Sequence, residues 1–194
     1  MQTRILILYY SRGGSTRALA RMCARGVEQS GALAVLRTVP NLDATAAQDA
    51  PLATSQDLRD CHGLLLGSPT RFGTLAAAMK AFIETLSSEW LSGTLIGKPA
   101  GVFCSTGSLH GGNEATLLSM IVPLLHHGML IVGLPYSEPE LMRPDAGGAP
   151  YGASHVAGAH DDPQLSESEK TLARALGMRV AQTAARLRGD DGTL

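Results

Sequence analysis

The sequence predicts a doubly wound α/β fold, a five-stranded parallel sheet with helices on both faces. Three observations carry that reading. Short, continuous apolar runs recur along the chain, amphipathic helical stripes stand between them, and Gly/Ser-rich turns follow several of the runs. Strands buried on both faces read as unbroken apolar segments. Their alternation with helices implies right-handed crossovers and a parallel sheet, whose ligands bind at the carboxyl ends of the strands.

The first strand spans residues 4–10 and ends at a turn. Behind it, Leu19, Met22, Cys23, Gly26, Val27 and Ser30 fall on one helical face, and Arg17, Arg21 and Arg25 on another. That division suits a helix lying on a sheet. Residues 32–38 form a second strand and 63–67 a third. Leu75, Met79, Phe82, Ile83 and Leu86 then give one helical stripe. Residues 100–104 are a fourth strand, and Leu117, Met120, Ile121 and Leu124 mark a helix expected to bend near Pro123. Residues 129–132 are the fifth strand. The last helix opens on the capping box Ser166-Glu167-Ser168-Glu169 and runs through Leu172, Leu176, Val180 and Leu187. Residues 135–163 are rich in Gly and Pro and have no period, which predicts a long loop insertion of functional or interfacial use. Residues 1–188 read as one domain and 189–194 as a frayed tail.

With 194 residues the chain is long enough to bury one sizeable core, and 44% hydrophobic against 17% charged residues argues against disorder. The net charge of −1 comes without any block of like charge, so nucleic acid is not an expected partner. It also disfavours a one-electron carrier that docks through a strongly acidic face. Cys23, Cys61 and Cys104 are far apart and make no zinc pattern, so no metal site is expected. Such sparse cysteines fit a reducing compartment. No apolar run reaches the length of a membrane span, and no leader is expected, which makes a cytoplasmic enzyme the default.

Three loops carry chemistry. Ser11, Arg12, Gly13, Gly14, Ser15 and Thr16 follow the first strand and open the first helix. Hydroxyl donors, close-approach glycines and the positive end of a helix favour a phosphate there. A plain Gly/Ser turn is the other reading of this loop alone. The loop has no Walker lysine and no dinucleotide fingerprint, so a nucleotide triphosphatase and a dinucleotide fold both fit poorly. The second loop, Pro69, Thr70, Arg71, Phe72 and Gly73, follows the third strand. The third, Ser105, Thr106, Gly107, Ser108, Leu109 and His110, follows the fourth. All three leave one sheet edge, an arrangement suited to a mononucleotide with a flat ring.

The segments Leu8-Tyr9-Tyr10-Ser11, Gly67-Ser68-Pro69-Thr70-Arg71-Phe72-Gly73, Ser105-Thr106-Gly107, His126-His127-Gly128-Met129 and Pro150-Tyr151-Gly152-Ala153 together resemble WrbA-type NAD(P)H:quinone oxidoreductases, in the same order over nearly the whole chain. The resemblance implies a flavodoxin-like sheet in the order 2-1-3-4-5, bound FMN, NADH or NADPH as electron donor, and a homotetramer. It implies two-electron reduction of a quinone, the two substrates taking turns in one pocket. The first loop then holds the FMN phosphate. Thr70, Arg71, Phe72 and Gly73 hold the ribityl chain and ring edge, and residues 105–110 line the pyrimidine side. His126 becomes the flavin-proximal histidine, Trp90 caps a neighbouring subunit's pocket, and Tyr136 lies near the substrate. Gly13 departs from the family, which often has an aromatic there. From the residues alone, His126 and His127 read more readily as caps of a helix end than as catalysts, and Trp90 can be read as a core residue. An FMN-binding regulatory or electron-transfer module with little intrinsic turnover is the alternative.

Overall fold

A computed structural model describes residues 2–42, 49–143 and 146–189. The apolar run at the N-terminus becomes β1 (Arg4–Tyr9), and the turn behind it leads into α1 (Ser15–Gln29). Leu19, Cys23, Gly26 and Val27 face the core as their spacing requires, while Arg21 and Arg25 face solvent. There follow β2 (Leu33–Thr38), α2 (Ser55–Asp60) and β3 (Gly63–Pro69). The expected single helix after β3 is two: α3 (Ala77–Glu84) and α4 (Ser87–Leu91), with Thr85 and Leu86 at the break. Next come β4 (Pro99–Thr106) and α5 (Asn113–His126), which continues through Pro123.

The sheet order is β2-β1-β3-β4-β5, all parallel, with Ile5 beside both Ala34 and Gly63, and Leu65 beside Gly101. This is the flavodoxin-like order. The fifth strand differs from expectation. It is split into β5 (Leu130–Ile131), beside Pro99 and Ala100, and β6 (Ala153–Val156), beside Phe103 to Thr106. Residues 135–163 are therefore not structureless: they contain a 3-10 turn at Pro139–Met142 and all of β6. Only β4 reaches both pieces, so the segment between them leaves the sheet edge and returns to it.

Helix α6 (Glu167–Gly189) starts on the expected capping box: Glu169 N–H donates to Ser166 Oγ at 3.2 Å, and Ser166 N–H to the Glu169 carboxylate at 2.8 Å. Leu172, Leu176 and Val180 are fully buried, but Leu187 is exposed and Ala184 takes the inner position one turn earlier. Gly189, expected to begin the tail, is helical, and residues 190–194 lie outside the described residues.

Two apolar cores cover the faces of the sheet. One joins Ile5, Ile7, Leu65 and Phe103 to α1 and α6, the other joins Leu6, Leu64, Leu66 and Val102 to α2, α3 and α5. The alternation of Ile5, Leu6, Ile7 and Leu8 between the two cores is the period of a strand buried on both sides. Helices α1 and α6 pack backbone to backbone, Gly26 against Arg174 and Gly177 against Cys23.

Candidate functional site

The carboxyl ends of β1, β3 and β4 open into one cavity of about 530 Å³, within the range of small-ligand sites. Ser11, Arg12, Gly13, Ser15 and Thr16 line it from the first loop, Pro69, Thr70 and Arg71 from the second, and Ser105, Thr106 and Gly107 from the third. Gly158, Ala159 and Asp161 complete the wall from behind β6.

The first loop is shaped for an anion. Gly14 has φ 105°, a left-handed turn that residues with a Cβ rarely adopt, and it delivers the chain into α1. Ser11 Oγ accepts from Gly14 N–H at 3.2 Å and Arg17 N–H at 3.3 Å, which fixes the turn. The first turn of α1 carries no acidic side chain of its own. Ser15 Oγ instead donates to the Asp161 carboxylate at 2.8 Å, and a Cβ on Gly13 would overlap that same carboxylate. A carboxylate thus stands at the helix start where the electrostatics favour negative charge.

The loops are cross-tied below the cavity. Thr16 Oγ1 and Ser105 Oγ lie 2.8 Å apart and are buried. Thr70 N–H donates to the Ser105 carbonyl at 2.8 Å, and Thr116 Oγ1 donates to Thr70 Oγ1 at 3.0 Å. The tight turn Arg71 to Thr74 closes by reciprocal backbone bonds of 2.8 and 3.1 Å, with Phe72 at φ 50° and its ring fully exposed at the tip beside Gly73. An aromatic ring held in water at a strained backbone position is costly unless something stacks on it. Thr106 Oγ1 donates to the Ser108 carbonyl at 2.7 Å and so shapes the third loop.

Other expected site residues stand elsewhere. Leu109 and His110 border a separate opening with Asn113, Glu114, Gly147 and Gly148. Trp90 and His126 line an apolar groove with Ile83, Leu86, Val122 and Pro123, between α3, α4 and α5. Tyr136 is exposed. His126 ends α5 and His127 caps it: Gly128 N–H bonds the Leu125 carbonyl and Met129 N–H the Leu124 carbonyl, a Schellman stop. His127 turns inward, its Nδ1 buried without a hydrogen-bond partner among the described residues, and burial lowers its pKa.

The contribution of Gly158, Ala159 and Asp161 was not read from the sequence. Its signal was the run Ala153 to Val156 followed by Ala157-Gly158, the same strand-then-glycine pattern as at the other three loops.

The family model described as NADPH-dependent FMN reductase matches residues 3–137. The chain belongs to this family. It is 44% identical over 200 residues to a Solidesulfovibrio magneticus protein named NAD(P)H dehydrogenase (quinone), a match covering 95% of this chain and 98% of that one. It is also 44% identical to NAD(P)H dehydrogenase (quinone) 3 of Rhizobium meliloti, covering 94% and 92%. Among solved structures, the WrbA-like flavodoxin protein from Agrobacterium tumefaciens superposes with a TM-score of 0.72 at 24% identity, covering 95% of this family member and 99% of the other. A flavodoxin from the domain Archaea gives 0.64 at 15% identity, covering 94% and 99%. These two likenesses confirm the fold.

Proposed function

We propose that the chain is an FMN-dependent NAD(P)H:quinone oxidoreductase that reduces quinones to hydroquinones by two electrons. The observation that carries the reading is the convergence of four polar segments on one cavity at the start of α1, in a chain whose 44%-identical relatives bear that name over nearly their full length.

The residues fit the cofactor. The Asp161 carboxylate at Ser15 marks an anion position, which suits the flavin phosphate, with Ser11, Arg12, Gly13, Gly14, Ser15 and Thr16 around it. Pro69, Thr70, Arg71, Phe72 and Gly73 are assigned to the ribityl chain and ring edge, and Ser105, Thr106, Gly107, Ser108, Leu109 and His110 to the pyrimidine side. When bound, the flavin supplies hydride acceptance from the reduced nicotinamide and two-electron delivery to the quinone. The chain's own part is to hold the ring, exclude water from one face and leave the other open to the two substrates in turn. His126 donates a hydrogen bond to a quinone oxygen in this reading.

His126, Trp90 and Tyr136 are outside the loop cavity of their own chain, so the reading places them at a neighbouring subunit's site in a homotetramer. Exposed Leu118, Val122 and Leu125 on α5, with Leu91 and Ile96 nearby, supply an apolar face for that assembly. No described helix is long and apolar enough to cross a membrane, and the proposed location is the cytoplasm.

The test is the visible spectrum of the purified chain with FMN. Flavin bands that bleach with NADH or NADPH and return with benzoquinone are expected. A spectrum that NADH and NADPH leave unchanged overturns the enzyme reading. His126→Ala is expected to lower the benzoquinone rate while flavin binding is kept, and Val122→Glu to shift the chain to a smaller species in sedimentation.

A further inference from the structure

The segment behind β6 is a turn pinned at both ends, closed by Asp162 N–H donating to the Ala157 carbonyl at 2.9 Å and Asp161 N–H to the Gly158 carbonyl at 3.4 Å. At one end Ala157 N–H donates to the Thr106 carbonyl at 2.8 Å, which attaches it to β4. At the other, His155 Nε2 bonds the Asp162 carbonyl at 2.7 Å, and His155 Nδ1 is buried against Glu169 at 2.9 Å. Between these anchors Gly158 has φ 67° with open space where a Cβ would be, and Asp161 has φ 52° and is exposed. A glycine and a left-handed Asp shape this turn, and Asp161 at its tip lines the cavity with an exposed side chain that is free to rotate away from it.

The tip of the turn reaches the cradle. Ser15 Oγ, itself buried, lies 2.8 Å from the Asp161 carboxylate, 3.3 Å from the Asp161 carbonyl and 3.4 Å from the Asp162 carbonyl. The carboxylate also packs where a Gly13 side chain would be. A phosphate monoester carries about −1.5 to −2 charges at neutral pH and seeks the same hydroxyl and the same helix start. Two anions do not share one small site, because like charges at contact repel and each needs the same donors.

We propose that Asp161 is an internal latch on the phosphate cradle, and that FMN binds by displacing its carboxylate from Ser15 and Gly13. The latch gives α1 a counter-charge before the cofactor arrives. It also weakens the apparent affinity of any phosphate-bearing ligand in proportion to the fraction of molecules with the cradle open. Riboflavin, which has the ring and the ribityl chain without the phosphate, does not compete with it. The proposal rests on the FMN reading above.

The experiment compares wild type, Asp161→Asn and Asp161→Ala, each full-length and freed of flavin, by quenching of flavin fluorescence on titration with FMN and with riboflavin. Both variants are expected to bind FMN about tenfold more tightly than wild type, the gain for a cradle otherwise latched in nine molecules of ten. Riboflavin affinity is expected to be the same in all three. Equal or weaker FMN binding in both variants overturns the latch, as does an equal gain for FMN and riboflavin, which would mark general loosening of the loop. Binding of neither flavin by any of the three proteins overturns the FMN reading and the latch with it.

Discussion

Trp90 Nε1 donates a 2.9 Å hydrogen bond to the backbone carbonyl of His126. The last carbonyls of a helix have no partner within it, so α4 finishes α5. The bond also fixes the indole beside the helix end, at the edge of the apolar groove, and makes two residues of the proposed substrate face into one unit.

The chain has a single tryptophan, so its fluorescence reports this one place. Trp90 is half exposed in the isolated chain. Assembly through α5 would take it out of water, and its emission is expected at a shorter wavelength in wild type than in Val122→Glu. Trp90→Phe is expected to cost about 1 kcal/mol in urea unfolding through loss of the bond.

The buried His155–Glu169 pair gives stability a defined pH window. Burial favours the neutral carboxyl, but the bonds from His155, Val156 N–H and Ser166 N–H outweigh it and hold Glu169 down at about 2, against 4.5 for a free side chain. That contribution is present above about 4.5 and is lost as pH falls toward 2. Burial would lower the His155 pKa, but bonds to Glu169 and the Asp162 carbonyl raise it above 6.5. Its contribution is complete below 6.5 and is lost as pH rises through the folded value. Thermal melts across pH are expected to peak between these limits. Glu169→Ala, which leaves a buried imidazole without its partner, is expected to cost about 3–5 kcal/mol.

Cys23, Cys61 and Cys104 are buried free thiols, and burial pushes all three upward, Cys61 to about 11. The thiolate is the reactive form. A disulfide reagent is expected to leave the native chain unmodified and to titrate three thiols once it is unfolded.

Gly26 and Gly177 set the distance between α1 and α6, since a Cβ on either would overlap the other helix's backbone. Gly177→Ala and Gly26→Ala are each expected to cost about 1–3 kcal/mol or more in urea denaturation. The double variant is expected to lose less than the sum, because the first methyl already parts the helices.

The first four strands were legible because each is a local, continuous apolar run, and their carboxyl-end loops followed from the topology alone. The fifth was not. Its half β6 is four residues long, and two of them, Ser154 and His155, are polar yet buried. Their polarity is satisfied at a distance, by Gly148 N–H on Ser154 Oγ and by Glu169 on His155. No local pattern announces such a strand, because the partners that make its burial tolerable are elsewhere in the chain. Asp161 was missed for the same reason: its meaning depends on Ser15, 146 residues away. The break between α3 and α4 has no mark in the sequence pattern, because Leu86 keeps the apolar stripe in phase across it.

The split fifth strand bears on how copies of this chain meet. A long open edge strand is a template for unlimited addition of further strands from other molecules. Here the outer neighbour of β4 is two short pieces separated by an excursion of the chain, β5 with two residues and β6 with four. Neither offers a run of free backbone long enough to start a fibril. On this side of the sheet, association is left to side chains on helices, where a closed assembly has a fixed number of members and growth stops.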